Sequence, residues 1–287
     1  MSSVPAVEFF NFVPEFDALS KLKGEFGESL RLLPEYGTRV HKLGVFVSHK
    51  ADRATKLKSA EYTNLPEPEP WESPYGNLMM SFFYHGVQSI LVFFEDYIKA
   101  SESDIRRTIL HEMGHAICGH ECRTVKTPGY FENLPPETSS YIVNQLTNLH
   151  EDYEVDCFLA EKVPEVVLEY IYNYAKHVSQ SDIKKIFQKI PAWAKRLEAA
   201  MLLAEYYRNL LVLEHLPNTL QRNRKFKKAK SKFAVLFKSS RLWLEDVMKK
   251  ALPSPEDLIS KSDFKDQYQL KLWFCKTVEL DTKKPNI

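Results

Sequence analysis

The chain has 287 residues, of which 44% are hydrophobic and 27% are charged, and its net charge is only +1. This balance is ordinary for a globular protein, and the longest apolar stretches, such as 89–94, are far too short to cross a bilayer. Residues 1–12 lack a signal-peptide pattern and the four cysteines do not form the framework of a small secreted domain, so we expect a cytoplasmic protein with no membrane partner.

The first 100 residues predict one helix and a small sheet. Residues 15–32 have apolar side chains at helical spacing, and residues 39–48 have the β-branched content of a strand. Residues 65–76 form a proline-rich connector that can be neither helix nor central strand. Two strand-like runs follow, at 78–84 and 87–98, and the His-Gly pair between them predicts a hairpin.

The rest of the chain is predicted to be mainly helical. Ser103 precedes an apolar-periodic run and is the expected N-cap of a helix over 104–118, which Gly119 ends. A second helix is expected over 139–162, before Pro164. Further helical patterns occupy 165–178, 182–190, 192–215 and 232–251. Strands followed by helices predict the α+β fold class.

Charge is unevenly distributed along the chain. Residues 1–200 contain 21 Lys and Arg against 28 Asp and Glu, whereas residues 201–287 contain 18 against 10. Much of the basic excess lies in the run 222–232, from Arg222 to Lys232. Such a run can contact a polyanion such as nucleic acid, but a solvated helix end or loop is the simpler interpretation.

One short motif carries the chemistry: His111-Glu112-Met113-Gly114-His115. Residues four apart share a helix face, with about 5–6 Å between their Cβ atoms, so both imidazoles can reach one Zn²⁺ at about 2.0–2.1 Å. Glu112 is rotated by about 100° around the helix and can instead take a proton from a metal-bound water. The motif predicts a zinc site with His111 and His115 as ligands and Glu112 as general base.

A zinc site needs a third protein ligand, and the second predicted helix offers one. Asp152 and Asp156 are four residues apart on a face that also carries apolar side chains. Carboxylates on such a face are costly to bury unless they are paired or bind a metal. We therefore expect Asp152 to bind zinc and Asp156 to accept a hydrogen bond from a ligand histidine. Glu151 is the alternative ligand, and a solvated acidic face is the alternative to any metal role.

His120 is the candidate ligand nearest to the motif in sequence. A metzincin pattern would place a glycine three residues and a histidine six residues after His115, but these positions hold Cys118 and Glu121. Cys118, His120 and Cys122 could form a separate structural metal site. Partial burial is the simpler interpretation of these cysteines.

Together the two helices resemble those of the gluzincin zinc metallopeptidases, in which a His-Glu-x-x-His helix precedes a helix with an acidic ligand and, four residues on, Asp or Asn. The stretch Asp152-Tyr-Glu-Val-Asp-Cys-Phe-Leu-Ala-Glu-Lys-Val-Pro164 is similar to a segment of the ImmA/IrrE-like peptidases. Asn148 to Asp156 is similar to the Asn-x-x-x-Asp signature of metallopeptidases found in phages and beside von Willebrand-type domains. Both resemblances place Asp152 at the metal, although its side chain is one methylene shorter than the usual Glu.

The resemblance covers about residues 77–164 and has consequences for fold and substrate. It implies a minimal zincin domain, in which a small antiparallel or mixed sheet packs on the motif helix and the ligand helix. We assign this domain to 1–164 and a largely helical subdomain to 165–287. The resemblance also implies that a strand within 87–98 is a sheet edge that binds an extended peptide by β-augmentation.

These patterns predict a zinc-dependent peptidase that acts on a peptide or protein substrate. Two other functions stay open. One is a non-catalytic or regulatory zinc-binding protein on a gluzincin fold, and the other is a nucleic-acid-associated protein that uses the basic C-terminal part. Glu112 favours the peptidase, because a purely structural zinc site has no need of a base.

Overall fold

The computed structural model describes residues 5–65, 78–121, 136–189 and 195–248, together with residues 254 and 259. The chain divides into two compact units, the first from 1–124 and 161–170 and the second from 125–160 and 171–287. The proline-rich connector predicted at 65–76 lies, apart from its first residue, outside the described residues. The predicted domain boundary at residue 164 stays a prediction.

A mixed four-stranded sheet forms the centre of the first unit. Its strands are β1 Ala6–Asn11, β2 Lys42–Ser48, β3 Met79–Tyr84 and β4 Val87–Phe93, in the spatial order β1-β2-β4-β3. β1, β2 and β4 are parallel, and β3 is antiparallel to β4. The predicted strands at 39–48 and 78–84 are confirmed as β2 and β3, whereas β1 was not predicted.

The predicted hairpin is confirmed between β3 and β4. His85 and Gly86 both have positive φ, 47° and 77°, which suits the right-handed twist of a two-residue hairpin. A Cβ at Gly86 would lie 2.7 Å from His41 Nδ1, so glycine is needed there for space as well as for its backbone conformation. The predicted strand at 87–98 is too long, because residues 94–97 form a helical turn.

β4 is an interior strand, and this corrects the predicted location of the peptide-binding edge. All seven of its residues are buried, and β2 pairs with one edge of it and β3 with the other. A strand paired on both sides has no backbone groups left for a substrate, so the prediction of an edge within 87–98 is wrong. β1 and β3 are the outer strands of the described sheet.

Among the described residues, five complete helices accompany the sheet in the first unit. They are α1 Leu19–Leu32, α2 Tyr36–Arg39, α3 Arg53–Tyr62, α4 Phe94–Tyr97 and α5 Glu102–Cys118. α1 and α5 confirm the predicted helices at 15–32 and 104–118. The N-cap of α5 is Ser101 rather than Ser103, because Ser101 Oγ accepts a hydrogen bond from Asp104 N. Gly119 ends the helix with φ 82°, as predicted.

The second unit is helical in its described part. Its helices are α8 Gln180–Lys189, α9 Lys195–His215, α10 Asn218–Gln221 and α11 Arg224–Met248, and it holds most of α6 Pro136–Lys162 and half of α7 Pro164–His177. These elements confirm the predicted helices at 139–162, 165–178, 182–190 and 192–215. The helix predicted over 232–251 begins eight residues earlier, at Arg224, and so contains most of the basic run.

The fold class is α+β, with a small mixed sheet and a predominance of helix. None of the helices among the described residues combines the length and the apolar character that a membrane span requires.

Candidate metal centre

The two motif histidines converge on the same side of α5. His111 Nε2 and His115 Nε2 lie 3.2 Å apart, and their ring planes are perpendicular. Two nitrogen ligands of a tetrahedral zinc ion, each at about 2.0–2.1 Å, lie about 3.3–3.4 Å from one another. The separation of these two nitrogen atoms therefore fits shared coordination of one zinc-sized ion. His111 is buried and His115 is half-buried, so the pair is accessible from one side.

Glu112 is held by the strand next to its helix. Ser81 Oγ on β3 donates a 2.6 Å hydrogen bond to Glu112 Oε2, and the glutamate is half-buried. This contact fixes the direction of the carboxylate relative to α5. Hydrogen bonds to a charged group are stronger than neutral ones, so a single hydroxyl can select one rotamer.

A buried polar chain fixes the backbone of α5 at the same residue. Gln88 Nε2 on β4 donates to the Glu112 carbonyl oxygen at 2.6 Å, and Tyr36 OH donates to Gln88 Oε1 at 2.5 Å. Burial raises the pKa of Tyr36 well above its ordinary value, so its hydroxyl remains a donor at every physiological pH. Both polar groups of the Gln88 amide are thus used, which accounts for a glutamine inside a fully buried strand.

The N-terminal half of α5 is attached to α1 by ion pairs. Arg106 lies 3.2 Å from Glu25 Oε2 and 2.7 Å from Glu28 Oε2, and Lys21 lies 2.7 Å from Glu102 Oε1. The Arg106 side chain is about one-third exposed, so these contacts orient the helix more than they stabilise it.

His120 lies on the other side of His115 from His111. Its Nδ1 atom is 3.0 Å from His115 Nδ1, whereas the His111 contact uses His115 Nε2. A hydrogen bond at Nδ1 fixes the ring and the tautomer of a histidine that binds metal through Nε2. This geometry suits an orienting role for His120. Cys122 lies outside the described residues, so a site made of Cys118, His120 and Cys122 stays a prediction.

The predicted acidic residues lie on α6, in the second unit. Asp156 is 7% exposed, and Leu149 and Leu159 on the same helix are buried as well, as the predicted inward face requires. Glu151 and Asp152 are both half-buried. The coordination of a metal by Asp152, by its alternative Glu151 or through Asp156 stays a prediction.

Arg208 on α9 is a partner of both aspartates and was not predicted from the sequence. Its Nη1 atom is 2.9 Å from Asp152 Oδ2, and its Nε atom is 3.7 Å from Asp156 Oδ2. Burial lowers the pKa of this guanidinium, but the charges of Asp152, Asp156 and Glu205 outweigh burial and hold the pKa above its ordinary value. Arg208 therefore stays charged and compensates the two carboxylates.

There is a physical reason why Arg208 could not be predicted from the sequence. Two carboxylates on an apolar helix face require a compensating cation, which can be a metal ion or a basic side chain. Sequence spacing within α6 reveals this requirement, but Arg208 lies 56 residues beyond Asp152 on a different helix. Only packing within the second unit identifies it.

The chain matches no protein-family model, no curated protein and no solved structure.

Proposed function

We propose that the protein is a zinc-dependent peptidase whose metal is held by His111 and His115. The observation that carries this proposal is the 3.2 Å separation of the two Nε2 atoms, with the carboxylate of the intervening Glu112 fixed by Ser81. Imidazole nitrogen suits zinc, and a glutamate between two such ligands is the arrangement that metal-assisted hydrolysis uses.

The bound zinc would polarise the scissile carbonyl and lower the pKa of a water molecule. Glu112 would accept a proton from the attacking water as general base and return it to the leaving amine as general acid. Ser81 keeps the carboxylate in position for both transfers. His120 would keep the His115 ring turned so that Nε2 lies beside His111 Nε2, where the two histidines would hold the metal.

Asp152 is the third ligand in this proposal, with Asp156 as the residue that orients a ligand histidine and Glu151 as the alternative ligand. A carboxylate can accept a hydrogen bond from arginine with one oxygen and bind a metal with the other, so the Arg208 contact at Asp152 Oδ2 is compatible with this role. Asp152→Asn should then weaken zinc binding strongly. Asp156→Asn should weaken it by about 10- to 100-fold.

β3 is the strand that we propose for the substrate. It is an outer strand of the described sheet, and its Ser81 side chain reaches the proposed base. An extended peptide paired with β3 would therefore pass beside Glu112. A cleaved peptide that is N-methylated at alternate residues should lose its main-chain hydrogen bonds to β3 and be cleaved more slowly.

The decisive experiment compares zinc content and peptide cleavage in three variants. Glu112→Gln should keep zinc and lose hydrolysis by at least about 100-fold, since general acid–base catalysis contributes that much. His115→Ala should lose both zinc and hydrolysis. Glu61→Gln, which changes an exposed glutamate on α3, is the matched control and should keep both.

The same comparison separates the alternative functions. Wild-type protein that binds zinc and cleaves no member of a diverse peptide library would support the regulatory or structural zinc protein. Hydrolysis that is unchanged in Glu112→Gln would contradict the proposed base.

A further inference from the structure

The segment from residue 215 to residue 244 contains no aspartate or glutamate and nine lysines and arginines. Most of these cations lie on α11. The acidic residues of α11, Glu245 and Asp246, lie near its C-terminal end, and Arg241 pairs with Glu245 there. The cations of the N-terminal half of the helix therefore have no acidic side chain at i,i+4 spacing on α11. Its positive potential is therefore available to a partner.

α11 separates its apolar and basic side chains onto opposite faces. Phe226, Phe233 and Leu236 are buried on one face. The opposite face carries four exposed cations, which are Arg224, Lys227, Lys228 and Lys232. They border an open depression that also includes Ser231 and Val235. Packing of the apolar face within the second unit thus fixes the direction in which the cations point.

These four cations differ from Lys225 and Lys230, whose side chains have partners within the protein. Lys230 is 3.2 Å from Glu214, and the Lys225 ammonium lies 5.7 Å from the centre of the Tyr172 ring. Over the ranges that the structure describes, no carboxylate lies within ion-pair distance of the four exposed cations. The predicted contact of 222–232 with a polyanion is therefore narrowed to one helix face.

We propose that this face of α11 binds the phosphate backbone of double-stranded nucleic acid without sequence preference. A phosphodiester chain offers regularly spaced negative charges, and neutralising them releases counterions. The aromatic side chains of α11 near the cations, Phe226 and Phe233, are buried, so this face offers no stacking platform for the bases of a single strand. The inference is independent of the proposed metal chemistry.

Other anionic partners fit this face less well. An acidic protein would need apolar anchors in a desolvated centre, and Val235 is the one apolar side chain that borders the depression in the described part of the chain. A membrane-surface helix inserts its apolar face into the bilayer, whereas Phe226, Phe233 and Leu236 of α11 are buried within the protein.

The test is fluorescence anisotropy with a 30-base-pair DNA duplex at several salt concentrations. Four phosphate contacts predict a slope of about −3.6 in log K against log salt, or a loss of affinity of about 150-fold between 50 and 200 mM salt. Removing three charges with Lys227→Gln, Lys228→Gln and Lys232→Gln should reduce the slope to about −0.9. The corresponding triple Lys→Arg variant keeps the charges and should bind like wild type.

A control of equal charge separates this face from a general effect of net charge. Lys23→Gln, Lys58→Gln and Lys99→Gln remove three exposed lysines from the first unit and should leave the slope unchanged. Equal losses in the two Gln triples would overturn the proposal, as would no duplex binding by wild type at 50 mM salt. Tighter binding to phosphatidylserine vesicles or to polyglutamate than to the duplex would overturn it in favour of a membrane or an acidic protein.

Discussion

His115 is the residue on which the proposed metal site depends most, because its two ring nitrogens have different partners. Nε2 faces His111 and Nδ1 faces His120. If His120 orients the ring without binding the metal, His120→Ala should weaken zinc binding by about 10-fold. Competition with a chromophoric chelator measures this affinity. A loss as large as that in His115→Ala would make His120 a ligand, and no loss would deny it either role.

Arg208 is the residue whose removal should affect stability most directly. It is 13% exposed at its side chain and neutralises Asp152 and Asp156, so Arg208→Met leaves two carboxylates without their cation. We expect the free energy of unfolding to fall by about 3 kcal/mol, as for other broken buried ion pairs. Urea denaturation measures the change, with the exposed Arg222→Met as control. A loss below about 1 kcal/mol would mean that the pair contributes no more than a surface salt bridge.

The residues of the candidate site differ in how far sequence alone could identify them. His111, Glu112 and His115 follow from a local rule, since helix geometry alone brings residues four apart to one face. Ser81, Gln88 and Arg208 act through contacts between separate elements, and no spacing rule links their positions to the motif. Local patterns therefore predict the reactive groups but not the residues that hold them.

At the scale of elements, the hairpin and α5 were predictable and the edge of the sheet was not. The turn residues and the alternation of strand residues mark where β3 and β4 meet. Which strand is outermost depends on β1 and β2, which approach from distant parts of the chain and pair in parallel. Strand order is a property of the whole sheet, so the substrate edge was assigned to the wrong strand.

The carboxyl ends of β2 and β4 are joined by an ion pair that titrates. His49 Nδ1 is 2.9 Å from Glu95 Oε1, and His49 Nε2 is 3.3 Å from Glu15 Oε1. The hydrogen bond with Glu95 raises the pKa of His49 above its ordinary value of 6.5. Burial raises the pKa of Glu95, but its hydrogen bonds from the backbone and from His49 lower it overall. The folded protein thus favours the charged form of both groups.

These shifts predict a pH-dependent contribution to stability. Because the folded pKa of His49 is raised, its contribution is complete below about pH 6.5 and is lost as the pH rises through the folded value. His49→Gln should therefore lower the free energy of unfolding more at about pH 5.5 than at about pH 8.5. Urea denaturation at the two pH values tests this, with His177→Gln as control. An equal loss at both values would show that the imidazolium does not stabilise the pair.

At the scale of the whole molecule, the fold class was predictable, whereas the helices of the second unit were only partly predictable. Apolar residues at helical spacing identified α7, whose Val167, Leu168 and Ile171 are buried, and the same kind of spacing predicted α8 and α9. The start of α11 was not predicted, because the lysine-rich run at its beginning contains too few apolar residues to show a helical period. The charge asymmetry between the two parts of the sequence nevertheless indicated where the exposed cations would lie.

The most direct test of the central claim is zinc analysis of undenatured wild-type protein, combined with X-ray absorption at the zinc edge. Coordination by His111 and His115 predicts about one zinc per chain with nitrogen ligands at about 2.0–2.1 Å, and loss of that zinc in His115→Ala. Protein that contains no zinc after purification without chelators, and that takes up none when zinc is added, would contradict the account.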